Sequence, residues 1–259
     1  MAAELRIEPA ANVIVGPEHW THPDLGIRIA APPPVTDARD LEARDRIQIA
    51  LDHGLASARV TSRTKCDVMR WWLYWSSPVS PSRAVPLAGS PARAMLQVAV
   101  QMTRAWLPFL IFCLGVAAIA GLLSAWPLLA FVALSVLVYA SLIVHECGHT
   151  VAYILCTTST FKGVFVVGRS GARLVRRRLP PARDTMVTCA GPFAPSIISI
   201  PIIWGGIYVL PLNLWVMIAV SLTSISLGHI ITLVIPSKGG DGTALRKALR
   251  ELAVPRGDI

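Results

Sequence analysis

Four long apolar runs occupy the chain beyond residue 105, at about 106–123, 128–156, 187–210 and 214–235. Helices of these lengths reach roughly 27 Å or more at about 1.5 Å per residue, enough to cross most or all of a bilayer core. The first run can begin earlier, on the amphipathic stretch 95–102. Runs one and two are joined by Ser124-Ala-Trp-Pro127, and runs three and four by Pro211-Leu-Asn213, with no charge in either connection. Residues 1–93 are mixed and polar. There Pro32, Pro33 and Pro34 interrupt the chain, and Thr36 or Asp37 is placed to cap a helix running to about His53, stopped by Gly54. Leu41, Ile47, Leu51 and Leu55 give it an apolar face. An aromatic cluster at Trp71, Trp72, Tyr74 and Trp75 suits either a bilayer interface or a small core. The segment 161–175 offers two β-prone runs around Gly168-Arg-Ser-Gly171, read either as a hairpin or as a plain turn.

The pattern predicts an all-α polytopic membrane protein of about four transmembrane helices, with a small β-hairpin between spans two and three. Its divisions are a cytosolic N-terminal domain (1–75), a Pro/Ser-rich linker (76–93), a membrane-embedded core (94–245) and a cytosolic tail (246–259). Composition agrees: 54% of the 259 residues are hydrophobic and 15% charged, too apolar for a soluble globular domain. The net charge of +9 does not point to nucleic acid, because the basic residues flank the apolar runs. Lys162, Arg169, Arg173, Arg176, Arg177, Arg178 and Arg183 crowd the loop before the third run, and Lys238, Arg246, Lys247, Arg250 and Arg256 follow the fourth. By the positive-inside rule, this loop and both termini face the cytosol. The expected location is the cell membrane, multi-pass. The first thirty residues carry charges without an apolar core and do not read as a signal peptide. The five cysteines form no C-x-x-C pair and predict no disulfide framework.

The second run contains His145-Glu-Cys-Gly-His149. On a helix the two histidines share a face and can grip one zinc ion, with Glu146 beside them as a general base. Ionisable groups at membrane depth are costly unless functional or paired. Cys147 points off the ligand face and reads as packing. Measured from the outer end of its helix, His145 lies about 26 Å in, near the cytosolic edge of a core about 30 Å thick. The fourth run ends at the same edge, so the third ligand is expected just after it. Asp241, flanked by Gly240 and Gly242, is better placed there than Glu251, although Asp in such a turn can instead cap a helix. His229, the only other ionisable group in the fourth run, lies about 18 Å before Asp241 along the helix and is expected to pack rather than ligate.

Three segments resemble the site-2 protease family of intramembrane zinc metalloproteases. Ile143-Val-His-Glu-Cys-Gly-His-Thr-Val151 resembles its zinc helix, Ala190-Gly-Pro its A-G-P motif, and Pro236 through Gly242 its P-x-x-x-x-D-G motif. The resemblance covers about residues 105–245. It implies one catalytic Zn2+ held by His145, His149 and Asp241, with Glu146 as the catalytic base. Leu233 and Thr243 stand where the family usually has Asn and Gly. The implied function is hydrolysis of a peptide bond near the cytosolic face. The substrate would be a membrane-associated protein or peptide, such as a precursor or leader peptide or a membrane-tethered regulator. The alternatives are a catalytically silent zinc-binding membrane regulator and, less in keeping with a single zinc-type site, a metal transporter or sensor. No nucleic-acid partner is expected.

Overall fold

The computed structural model describes residues 4–32, 41–61, 82–123, 128–168, 171–235 and 240–253. The predicted helix cap at Thr36 or Asp37, the aromatic cluster at 71–75 and the turn at 236–239 lie outside them. The described chain divides into two units, Met1–Gly89 with Ser159–Arg177, and Ser90–Thr158 with Arg178–Ile259.

In the first unit, Leu5 and Ile7 alternate with charged neighbours, the period of a strand. This strand, β1 (Glu4–Pro9), pairs antiparallel with β5 (Ala56–Thr61). Short strands β2 (Ile14–Val15), β3 (His19–His22) and β4 (Ile27–Ala30) form a three-stranded meander. Helix α1 (Leu41–Asp52) stops at Gly54, whose φ of +70° favours glycine. Its expected apolar face is buried at Ile47 and Leu51, with Leu55 beside them, in a core shared with Trp20, Ala50, Ala56 and Ala58.

Strands β6 (Ser82–Pro86), β7 (Val164–Gly168) and β8 (Gly171–Val175) form the third sheet in that order. The hairpin at Gly168–Gly171 is present, with those glycines paired. Two expectations are corrected here. The chain is mostly helical but not all-α, and residues 82–86 of the Pro/Ser-rich segment are a strand rather than linker. Every residue of β7 is buried. A continuous apolar strand needs cover on both faces and a partner on each edge, and β6 supplies one edge. The backbone N–H of Ala84 donates to Ser57 Oγ (2.9 Å), tying β6 to β5. The loop between the second and third apolar runs is therefore part of the same unit as the N-terminal residues, not an isolated hairpin.

The second unit is helical: α2 (Pro91–Leu123), α3 (Leu128–Cys156), α4 (Pro181–Val209), α5 (Leu212–Val234) and α6 (Asp241–Ala253). Neighbours in sequence pack against each other from α2 to α5, and α6 packs on α4 and α5. Among the described residues, three helices are long and apolar enough to cross a membrane: Phe131–Cys156 within α3, α4, and α5. Helix α2 bends by 56° between Pro108 and Leu110, where proline removes a helical hydrogen bond, and makes a fourth only if both halves count as one span. Large apolar side chains such as Phe112, Leu122, Ile197, Trp204, Val220 and Val234 face outward, as lipid contact requires. Arg183 donates to the last carbonyl of α3 at Cys156 (3.2 Å). Arg246 does the same for Val234 at the end of α5 (3.0 Å). These bonds satisfy acceptors that a helix end leaves unpaired.

Candidate metal centre

His145 and His149 are one turn apart on α3, and their Nε2 atoms stand 3.2 Å from each other. Asp241, the first residue of α6, completes the group, with Oδ2 3.1 Å from His145 Nε2 and Oδ1 3.2 Å from His149 Nε2. All three ligand atoms lie within 4.8 Å of one another. Tetrahedral ligands at about 2.0–2.1 Å from zinc stand roughly 3.3 Å apart, so the donor set and its spacing fit that ion. The group could hold a metal ion.

Asp241 reaches this position because of Gly242. A Cβ at Gly242 would lie 2.6 Å from the Ile235 carbonyl, 2.8 Å from that of Thr232 and 2.9 Å from that of Leu233. Only a residue without a side chain lets α6 begin against the end of α5. The cap reading of Asp241 is not what the geometry gives. Gly240 precedes the helix and its carbonyl accepts from Thr243 and Ala244, while the Asp241 carboxylate turns to the histidines. Burial alone would raise the Asp241 pKa, but hydrogen bonds with His145 and His149 outweigh it and hold the carboxyl well below the usual carboxylate range. Glu251, the rejected alternative, pairs with Arg178 instead.

The A-G-P segment now has a physical reason. A Cβ on Gly191 would overlap the His149 imidazole, and one on Gly148 would lie 2.5 Å from the Ala190 carbonyl and 2.7 Å from Ala194 Cβ. The two glycines let α3 and α4 approach as closely as small residues allow in membrane helices. That approach puts Val187 O 2.8 Å from His149 Nδ1. With Nδ1–H donating to the carbonyl, Nε2 is the atom left to bind a metal ion in place of the proton it shares with Asp241.

Glu146 follows His145 directly and lies within electrostatic reach of His149 and Asp241. Cys147 is buried off this face, its Sγ–H directed to the Met95 carbonyl at 3.8 Å.

His229 packs rather than ligates, as expected, but it packs on the metal group itself. Its ring lies 4.9 Å from that of His145, centroid to centroid. Distance along the helix from Asp241 misleads because α6 begins against the end of α5: a Cβ on Gly242 would lie 2.8 Å from the carbonyl of Thr232, only three residues from His229. The signal available was the residue type itself, a titratable group inside an apolar run. His145 Nδ1 is buried without a hydrogen-bond partner among the described residues, a state that costs about 1–3 kcal/mol for a polar group.

Comparison with known proteins finds no family model, no curated protein and no solved structure that matches the chain.

Proposed function

We propose that the chain is an intramembrane zinc metalloendopeptidase resembling the site-2 protease family. It hydrolyses a peptide bond of a membrane-associated protein or peptide near the cytosolic face of the cell membrane. The observation that carries this reading is the meeting of His145, His149 and Asp241 next to Glu146, on a helix apolar enough to cross a membrane. In this reading bent α2 is the fourth span, and both termini and the basic loop are cytosolic. The metal ligands then sit near the cytosolic edge, where water and an extended substrate can enter.

A bound zinc ion would supply a Lewis acid for the scissile carbonyl and acidify a water molecule. His145 and His149 present Nε2 lone pairs, and Asp241 supplies the negative charge that matches a divalent cation. The Glu146 carboxylate accepts the proton of the attacking water and returns it to the leaving amine nitrogen. A helical substrate has to unwind first, because its carbonyls are held in i to i−4 hydrogen bonds.

The test compares full-length wild type with Glu146→Gln in detergent, for bound zinc and for cleavage of a model membrane peptide. Both should hold about one zinc, and the variant should cut roughly 100- to 10,000-fold more slowly. Equal cleavage by the two would refute Glu146 as the base. Zinc binding without cleavage of several unrelated peptides by either would favour the silent zinc-binding regulator.

A further inference from the structure

His229 lies beside the metal-binding group, yet the proposed chemistry does not use it. Its ring packs on His145 with planes tilted by 35°, and its Nε2 is 3.0 Å from Ser141 Oγ. Ser141 stands one turn before His145 on the same face of α3. The one hydroxyl proton of Ser141 already goes to the Val138 carbonyl, 2.7 Å away. Ser141 can therefore only accept from His229, which fixes the proton of a neutral His229 on Nε2 and anchors the ring across the α3–α5 contact.

The two histidines of the metal group are held in different ways. His149 is fixed by the bond from Nδ1 to Val187 O. Among the described residues His145 lacks the equivalent bond, for its Nδ1 is buried without a partner there. A ligand ring without such a bond is free to turn about χ2 and carry its Nε2 away from the metal position. Two rings lie against it at 4.9 Å, that of its fellow ligand His149, edge-on, and that of His229, which is tilted by 35° and is not in the ligand group.

We propose that His229 is the positioning residue for His145. Anchored to Ser141, it holds the His145 ring so that Nε2 faces His149 and Asp241. This rests on reading those three residues as metal ligands, and not on the peptidase step. A titratable side chain retained in an apolar span, where leucine would pack at lower cost, is consistent with that duty.

The test measures zinc affinity by chelator competition and the visible absorption of the cobalt-loaded protein, on the full-length chain in detergent. His229→Leu should weaken zinc binding by about 10- to 100-fold and alter the cobalt bands. Ser141→Ala should give a smaller loss in the same direction. The double variant should bind no more weakly than His229→Leu, because both changes act through one contact. His229→Phe keeps a ring against His145 but loses the bond to Ser141, so it should match Ser141→Ala and serves if the leucine variant fails to fold. Unchanged affinity and spectrum in His229→Leu, or losses that add in the double variant, would overturn the proposal. With the phenylalanine variant alone, failure to match Ser141→Ala would overturn it. A wild type that takes up no metal would overturn the metal reading as well, whereas a metal-binding wild type indifferent to His229 overturns this inference alone.

Discussion

The imidazole of His149 occupies the space that a side chain at Gly191 would fill. One glycine on α4 thus sets how near that helix comes to the histidine, and with it the 2.8 Å approach of Val187 O to His149 Nδ1. The A-G-P segment acts on the metal group through backbone proximity, without offering a ligand.

Gly191→Ala should therefore displace His149 and weaken zinc binding by about 10- to 100-fold, the usual effect of losing the group that orients a ligand. Circular dichroism should show helix content unchanged, since alanine is a better helix former than glycine. Chelator competition on the purified protein reads the affinity.

Gly242→Ala makes a different demand, because the atoms in the way are the backbone carbonyls of Thr232, Leu233 and Ile235. These cannot rotate aside as a side chain can. Forcing a methyl group into that contact should cost about 1–3 kcal/mol of stability. It should also move Asp241 off the histidines, so lower melting temperature and lost zinc binding appear together. A variant with normal melting and normal zinc affinity would contradict the account of how α6 begins.

In the N-terminal unit, His22 is fully buried with neither ring nitrogen hydrogen-bonded among the described residues. Burial lowers its pKa from the usual 6.5, with Asp24 offsetting part of the effect. The unfolded chain then binds the proton more readily than the folded one. Stability should be complete above about 6.5 and fall as the pH drops below it, levelling off at the folded-state value. His22→Phe should reduce the loss of melting temperature between pH 7.5 and 5. It should also stabilise the protein at pH 7.5, since no polar atom is left unpaired. An unchanged pH dependence would show that other groups set it.

Much of the membrane unit was legible because its signals are local. Apolar length marks α3, α4 and α5, histidines four apart share a helix face, and glycines on either side of Asp241 announce a close turn. The N-terminal unit was less legible. Its strands are short, β6 hides among Pro78, Pro81 and Pro86, and β7 is a plain apolar run whose need for cover becomes visible only in the sheet. The packing role of His229 was legible but its partner was not: His145 is distant in sequence, and the contact exists only because α3 and α5 pack. Ladder partners and cross-helix contacts are set by tertiary structure, which periodicity does not encode.

The central claim is that two imidazoles and one carboxylate hold a single zinc ion. X-ray absorption at the zinc edge of the purified full-length protein tests it directly. The account predicts about one zinc per chain, nitrogen and oxygen neighbours at about 2.0–2.1 Å, outer-shell features of two imidazoles and no sulfur. It also predicts loss of the metal in Asp241→Ala. A sulfur neighbour at about 2.3 Å, as ligation by Cys147 would give, or a wild type without zinc, would contradict it.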